Sequence, residues 1–206
     1  MLDQNKSLSP HFKVYEFLQT SKKNVVDPTT KKTISELQLL HAEKYIDNLT
    51  TLSNKVLEPI RTYMINTLGF KYLKINSGVR CLYLNELIGG SKTSQHCSDA
   101  SAIDINVDKN NNGNVIEKTA NATALFLAIK EGKVEGLDLN ILGQVILEGS
   151  KDGGRWVHVS IKTPAFIAMR KAAKRNSTNF PEFFIYIQPE YLLTNDANLK
   201  RYVDYK

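Results

Sequence analysis

Two short stretches constrain this chain more than any others. In Ser101-Ala102-Ile103-Asp104-Ile105-Asn106-Val107 the large apolar side chains fall at alternate positions, and Trp156-Val157-His158-Val159-Ser160-Ile161 repeats the pattern. Alternation with period two marks a half-buried strand, because successive side chains point to opposite faces. Ile103, Ile105 and Val107 are therefore expected to face a core, as are Val157, Val159 and Ile161. Asp104 then shares the other face with Ala102 and Asn106, and His158 shares its face with Trp156 and Ser160. Each strand offers one metal-type side chain away from its apolar side.

His96 stands in the loop before the first strand, in Ser94-Gln95-His96-Cys97-Ser98-Asp99-Ala100. Two imidazoles and one carboxylate suit a catalytic zinc, which takes three N or O protein ligands and keeps a fourth position for water. Two ligands on strands and one on a loop give the rigid support such a site needs. Each residue also has a plain reading. A strand histidine is often a satisfied polar side chain, and an aspartate near a strand end is often a turn former. His11 and His41 are useful contrasts: one lies in coil, one on a helix face, and neither has a carboxylate at a useful spacing.

At 206 residues, 42% of them hydrophobic and 23% charged, the chain is expected to form one α+β domain over residues 1–206. No apolar run reaches the roughly 20 residues of a membrane span. The first residues lack the charged-then-apolar pattern of a secretory signal, so a chain cytoplasmic when synthesised is expected. A net charge of +6 favours anionic partners such as wall polymers or nucleic acid. No Lys/Arg block is interleaved with aromatics, however, and Lys171-Ala172-Ala173-Lys174-Arg175 reads as the solvated end of a helix, so nucleic acid is not expected. Oligomeric state is left open. The two cysteines, Cys81 and Cys97, make no disulfide framework and have the wrong spacing for a thiolate zinc site. They could bond to each other in a non-reducing compartment.

Residues 34–68 carry a helical apolar stripe (Leu49, Leu52, Val56, Leu57, Ile60, Met64), interrupted by Pro59, which should kink or restart the helix. Further helices are expected near residues 14–18, 82–88, 119–130 and 165–174, with Thr163-Pro164 as a start signal for the last. Strands are expected at 71–76, 101–107, 145–148, 155–162 and 182–187, the third and fourth forming a hairpin. Irregular mixing of short strands and helices predicts an α+β fold: a small, mainly antiparallel sheet flanked by helices. Asp108-Lys109-Asn110-Asn111-Asn112-Gly113 matches the first half of a calcium loop, but position twelve is Thr119 instead of glutamate. An Asn-rich turn is the plainer reading, weak Ca²⁺ binding the alternative, and Thr119 also suits a helix cap.

Several blocks in order resemble the zinc D-Ala-D-Ala carboxypeptidase-like peptidases, which include bacterial and phage murein peptidases and are related to the hedgehog fold. They are Leu8-Ser9-Pro10-His11-Phe12, Val56-Leu57-Glu58-Pro59-Ile60-Arg61, Ser77-Gly78-Val79-Arg80, Ser94-Gln95-His96, Ala102-Ile103-Asp104, Gln144-Val145-Ile146-Leu147-Glu148 and Trp156-Val157-His158-Val159-Ser160. The resemblance spans about residues 8–162 and leaves 163–206 as an extension without an assigned role. It implies a hedgehog/DD-peptidase-like fold, zinc held by His96, Asp104 and His158, and hydrolysis of peptide bonds in bacterial peptidoglycan, as a carboxypeptidase or a cross-bridge or L-Ala-D-Glu endopeptidase. A phage lysin, released to the wall from the host cytosol, fits the same implication.

Arg80 would bind a substrate carboxylate or the developing oxyanion, a task for the planar guanidinium fork that Lys does not reproduce. Ser94, Trp156 and Ser160 would line the cleft. Glu148 is the candidate general base, with Asp152 as alternative; several relatives place the base three residues before the last histidine, where this chain has Arg155. An exposed Glu148, or one paired with Arg155, is the plain alternative. The His96-to-Asp104 spacing is one residue longer than the family's and lacks its glycine. An extra residue inside a strand would flip every later side chain, whereas one in the loop at Ser98-Asp99-Ala100 would leave Asp104 in place; Asp99 is the alternative ligand. These departures keep a second class open, a non-catalytic binding or structural module on the same fold.

Overall fold

The computed structural model describes residues 2–150, 152–172 and 181–186. A 3₁₀ turn, Val14–Leu18, leads to α1 (Ile34–Lys44), α2 (Ile46–Leu52) and α3 (Glu58–Asn66), and α4 (Leu82–Leu87) follows where a helix was expected at 82–88. Thr33 starts α1 with a reciprocal cap: its hydroxyl accepts from Glu36 N–H at 3.2 Å and its N–H donates to Glu36 Oε2 at 2.7 Å. Pro59 restarts the helical run as expected, at the first turn of α3. The turn before it, Ser53–Leu57, widens to a π-helical turn in which Glu58 N–H bonds Ser53 O. A proline has no N–H for the carbonyl four residues earlier, so an i→i+5 turn just upstream takes up the mismatch.

The sheet contains β1 (Ile75–Ser77), β2 (Ala102–Asn106), β3 (Leu142–Gly149), β4 (Arg155–Ile161) and β5 (Glu182–Tyr186), in the order β1-β2-β4-β3-β5. All neighbours are antiparallel except β3 and β5. The fold class is α+β with a mainly antiparallel sheet, as the sequence predicted. β5 was expected as a strand but not as a parallel one. Through it, part of the extension completes the sheet, and Arg170 on α7 (Pro164–Ala172) forms a buried ion pair with Glu182 of β5. The expected ends of α7 at Lys174 and of the last strand at Ile187 lie outside the described residues.

Ile103, Ile105, Val157 and Val159 are all fully buried. They pack with Leu49, Leu52, Ile60 and Met64 from the N-terminal helices and with Leu125, Phe126 and Ile129 of α6 (Val115–Lys130). Each such side chain contributes about 1.5–3 kcal/mol by burial, which fixes the sheet's apolar face against the helices and turns Asp104 and His158 to the other.

Three local expectations need correction. β1 covers only Ile75–Ser77, not 71–76. α6 begins at Val115, capped by the Asn114 side chain on the N–H groups of Ile116 and Glu117. Thr119 is consequently not the cap but an interior residue, its hydroxyl donating to Val115 O and accepting from Arg155 Nε. In the Asn-rich loop both Asp108 oxygens accept backbone N–H groups, from Asn112 at 3.1 Å and Gly113 at 2.9 Å. These bonds build the turn, and the side-chain amides of Asn110 and Asn112 reach Glu117.

Candidate metal centre

The antiparallel register sets Asp104 directly opposite His158. Paired residues share a face, so carboxylate and imidazole meet without any bend in either strand. His158 Nδ1 lies 3.0 Å from Asp104 Oδ1. His96 completes the group from α5 (Gln95–Ser98), with Nε2 at 3.1 Å from Asp104 Oδ1 and 3.2 Å from His158 Nδ1. All three residues are buried, and among the described residues they form a group of ligand atoms able to hold a metal ion.

The extra residue between His96 and Asp104 is absorbed in the loop. α5 ends at Ser98, and Ala100 follows with φ +53°, the left-handed region usually left to glycine. The chain thus doubles back before β2 begins, and the strand enters in the phase that points Asp104 at the histidines. Asp99, the alternative ligand, is turned elsewhere: it accepts from the hydroxyls of Ser101 (2.5 Å) and Thr163, and its carbonyl accepts from Asn48. It ties the hook to α7 and α2.

The Ser77-Gly78-Val79-Arg80 block holds this group in place. Gly78 presses against the 3₁₀ turn so closely that a Cβ would stand 2.6 Å from Phe17 O; any side chain there would push the turn away from the end of the sheet. The Gly78 carbonyl then sits 2.7 Å from His96 Nδ1. A carbonyl can only accept, so Nδ1 carries the proton and Nε2 of the neutral ring presents a lone pair. Arg80 donates through Nη2 to Asp104 Oδ2 (2.9 Å) and through Nε to Ser77 Oγ (2.9 Å), and its N–H bonds His96 O. The sequence pointed Arg80 at substrate; in the structure its guanidinium orients the Asp104 carboxylate. Gly78 and Ser77 were missed as supporting residues, although their place in the block was the available signal.

Electrostatics test whether a cation fits. Burial pulls the His96 pKa down, so that ring is neutral. Burial alone would raise Asp104, but the two imidazoles outweigh it and hold the carboxyl well below its usual range. Burial alone would lower His158, but its bond to Asp104 and the nearby carboxylates raise it. One proton, on His158 Nδ1, therefore serves two converging acceptors, and the His96 Nε2 and Asp104 Oδ1 lone pairs still face each other at 3.1 Å. A divalent ion satisfies all three atoms. Zinc bonds of about 2.0–2.1 Å in tetrahedral geometry put ligand atoms about 3.3 Å apart, close to the separations present.

Glu148 and Trp156 are cross-strand partners on β3 and β4. Trp156 Nε1 donates to Glu148 Oε2 at 2.7 Å. This replaces the plain alternative of a Glu148–Arg155 pair; Arg155 sits on the opposite face, bonded to Thr119 Oγ1 and to the carbonyls of Ser150 and Gly154. Burial raises the Glu148 pKa, with His158 and Asp104 as the next influences. Asp152 lies instead in an exposed turn, bonded to Ser150 Oγ, which lowers its pKa. Ser94, just before α5, is half-buried. Ser160 is fully buried and its hydroxyl accepts Gln144 N–H, so it belongs to the sheet and has no surface to offer a cleft. Both cysteines are free thiols, Cys81 buried and Cys97 partly so.

A family model, Peptidase M15, matches residues 10–128. The chain belongs to the peptidase M15 family. The M15 match takes in Arg80, His96 and Asp104 and ends before β3 and β4, so Glu148 and His158 join the site on geometry. M15 peptidases are zinc-dependent metallopeptidases, and the His96–Asp104–His158 group supplies a place for such an ion. No match was found among curated proteins. Among the described residues no helix is long and apolar enough to cross a membrane.

Proposed function

We propose that this M15 domain is a zinc peptidase that cleaves a peptide bond of bacterial peptidoglycan, with His96, Asp104 and His158 as metal ligands and Glu148 as general base. The observation that carries this reading is the meeting of three buried donor atoms within 3.2 Å of one another beside a second, partnered carboxylate. A bound zinc ion supplies Lewis acidity, polarising the scissile carbonyl and making water a better nucleophile near neutral pH.

The remaining work falls to the chain. Trp156 fixes one Glu148 oxygen, leaving the other to take a proton from the attacking water and return it to the leaving amine. With Nη2 and Nε committed to Asp104 and Ser77, the Arg80 guanidinium is held in one orientation. Nη1, which no described residue engages, is the edge that would meet a substrate carboxylate or the oxyanion. The net charge of +6 helps hold the domain on an anionic wall.

The test is digestion of purified muropeptides by the zinc-loaded chain, with products identified by mass spectrometry; the masses report whether a terminal D-Ala or an internal bond is cut. Glu148→Gln should retain one zinc per chain and lose turnover by about 10²–10⁴-fold. Substoichiometric zinc together with chelator-insensitive or absent cleavage would overturn the proposal in favour of a non-catalytic module.

A further inference from the structure

Away from the metal centre, a concavity of 540 Å³ lies at the β1 edge. Its size lies within the roughly 300–1,000 Å³ of small-molecule sites. Tyr15 and Tyr72 line it, residues that are 42% and 52% exposed. Between them the lining offers Gln19, Thr20, Lys74 and Asn76. Leu73 and Ile75 are buried while Tyr72, Lys74 and Asn76 are exposed, so alternating burial in the segment entering β1 leaves one ring, one ammonium and one amide on the open side. Exposed aromatic rings flanked by amides and hydroxyls, with the Lys74 ammonium and the Glu16 carboxylate as charged hydrogen-bonding groups, suit a ligand with apolar faces and a polar rim. A pyranose is such a ligand: its C–H faces stack on rings while its hydroxyl and acetamido groups seek amides and hydroxyls.

The groove is joined to the metal centre by β1. Asn76 Oδ1 accepts from Asn106 Nδ2 at 2.8 Å, and Asn106 lies two residues beyond Asp104 on β2. Ser77, next along, holds Arg80. At about 3.4 Å of rise per residue the groove's edge stands ~7 Å along the strand from Asp104. One molecule can span both. An extended peptide would need a free ladder, but Gly78 packs on Phe17 and Val79 N–H bonds Phe17 O, which closes β1 where a peptide strand would add.

We propose that the Tyr15–Tyr72 groove is a saccharide subsite that seats an N-acetylated sugar of the glycan strand while the attached peptide reaches the metal centre. This rests on the peptidoglycan reading above for its substrate, though not for its binding chemistry.

Two measurements on the zinc-loaded full chain test it. The first is calorimetric titration with the N-acetylglucosamine tetramer. The second compares hydrolysis of a free stem peptide with that of the same peptide on its disaccharide. Tyr15→Ala and Tyr72→Ala should each weaken tetramer binding and raise KM for the glycan-linked substrate, by roughly tenfold. Free-peptide kinetics should stay unchanged, and Tyr72→Phe, which keeps the ring, should retain most of the affinity. No tetramer binding by the unsubstituted chain, or equal effects on both substrates, overturns the subsite. If neither peptide is cut, the peptidase reading fails, and the titration still decides the saccharide site.

Discussion

The Trp156–Glu148 bond makes the pH profile a sharp probe of the proposed base. A donor aimed at a carboxylate stabilises the ionised form more than the neutral one; the difference between a charged and a neutral hydrogen bond is about 1 kcal/mol. At 1.36 kcal/mol per pKa unit, losing the indole N–H in Trp156→Phe should raise the Glu148 pKa by about 0.7 units. The sign follows from the chemistry. Its half-buried setting already raises the Glu148 pKa. A base must be ionised, so activity falls as pH drops through this pKa, and a higher pKa moves that acid limb to higher pH. The kcat/KM profile of zinc-saturated Trp156→Phe should therefore keep its plateau within a few-fold while its acid limb shifts upward by about 0.7 pH units. Comparing two forms with the same metal cancels the ion's own effect on Glu148. An unmoved limb with an intact plateau would refute the assignment of Glu148 as the titrating base.

Arg80→Lys removes the guanidinium that reaches both Asp104 Oδ2 and Ser77 Oγ, and equilibrium dialysis should show zinc affinity falling by about 10–100-fold; unchanged affinity with impaired turnover would leave Arg80 a role toward substrate alone. Ala100→Gly relieves a left-handed alanine at φ +53°, a strain of about 1–2 kcal/mol offset by roughly 0.5–1 kcal/mol of glycine chain entropy. Urea unfolding should thus show unchanged or slightly higher stability, and a clear loss would mean that the methyl's packing dominates. Chelation should lower Tm, because an ion present at 1,000 times its Kd stabilises the folded chain by about 4 kcal/mol; a metal-independent Tm would speak against a preformed site.

Alternation along residues 101–107 and 156–161 was enough to place Asp104 and His158 off the apolar face, since side-chain direction along a strand is a local property. The restart at Pro59 and the cap at Thr163 were legible for the same reason: each depends on one residue and its near neighbours. The family blocks added Arg80 and Glu148, whose proposed roles no local pattern distinguishes from those of other loop or strand residues. What lay outside reach was how distant segments lock together. That Asp104 pairs with His158, and not with the residue two along, is a matter of register. That Gly78 selects the His96 tautomer depends on a crossing with Phe17, and that Glu148 bonds Trp156 instead of Arg155 depends on which face of the hairpin meets α6.

The chain order thus determined which side chains could become ligands and which faces they would occupy. Only the folded sheet decided that they converge. The left-handed turn at Ala100 and the register of β2 on β4 are set by contacts between residues tens of positions apart, and ångström-scale placement of ligand atoms comes from those contacts, not from local preference.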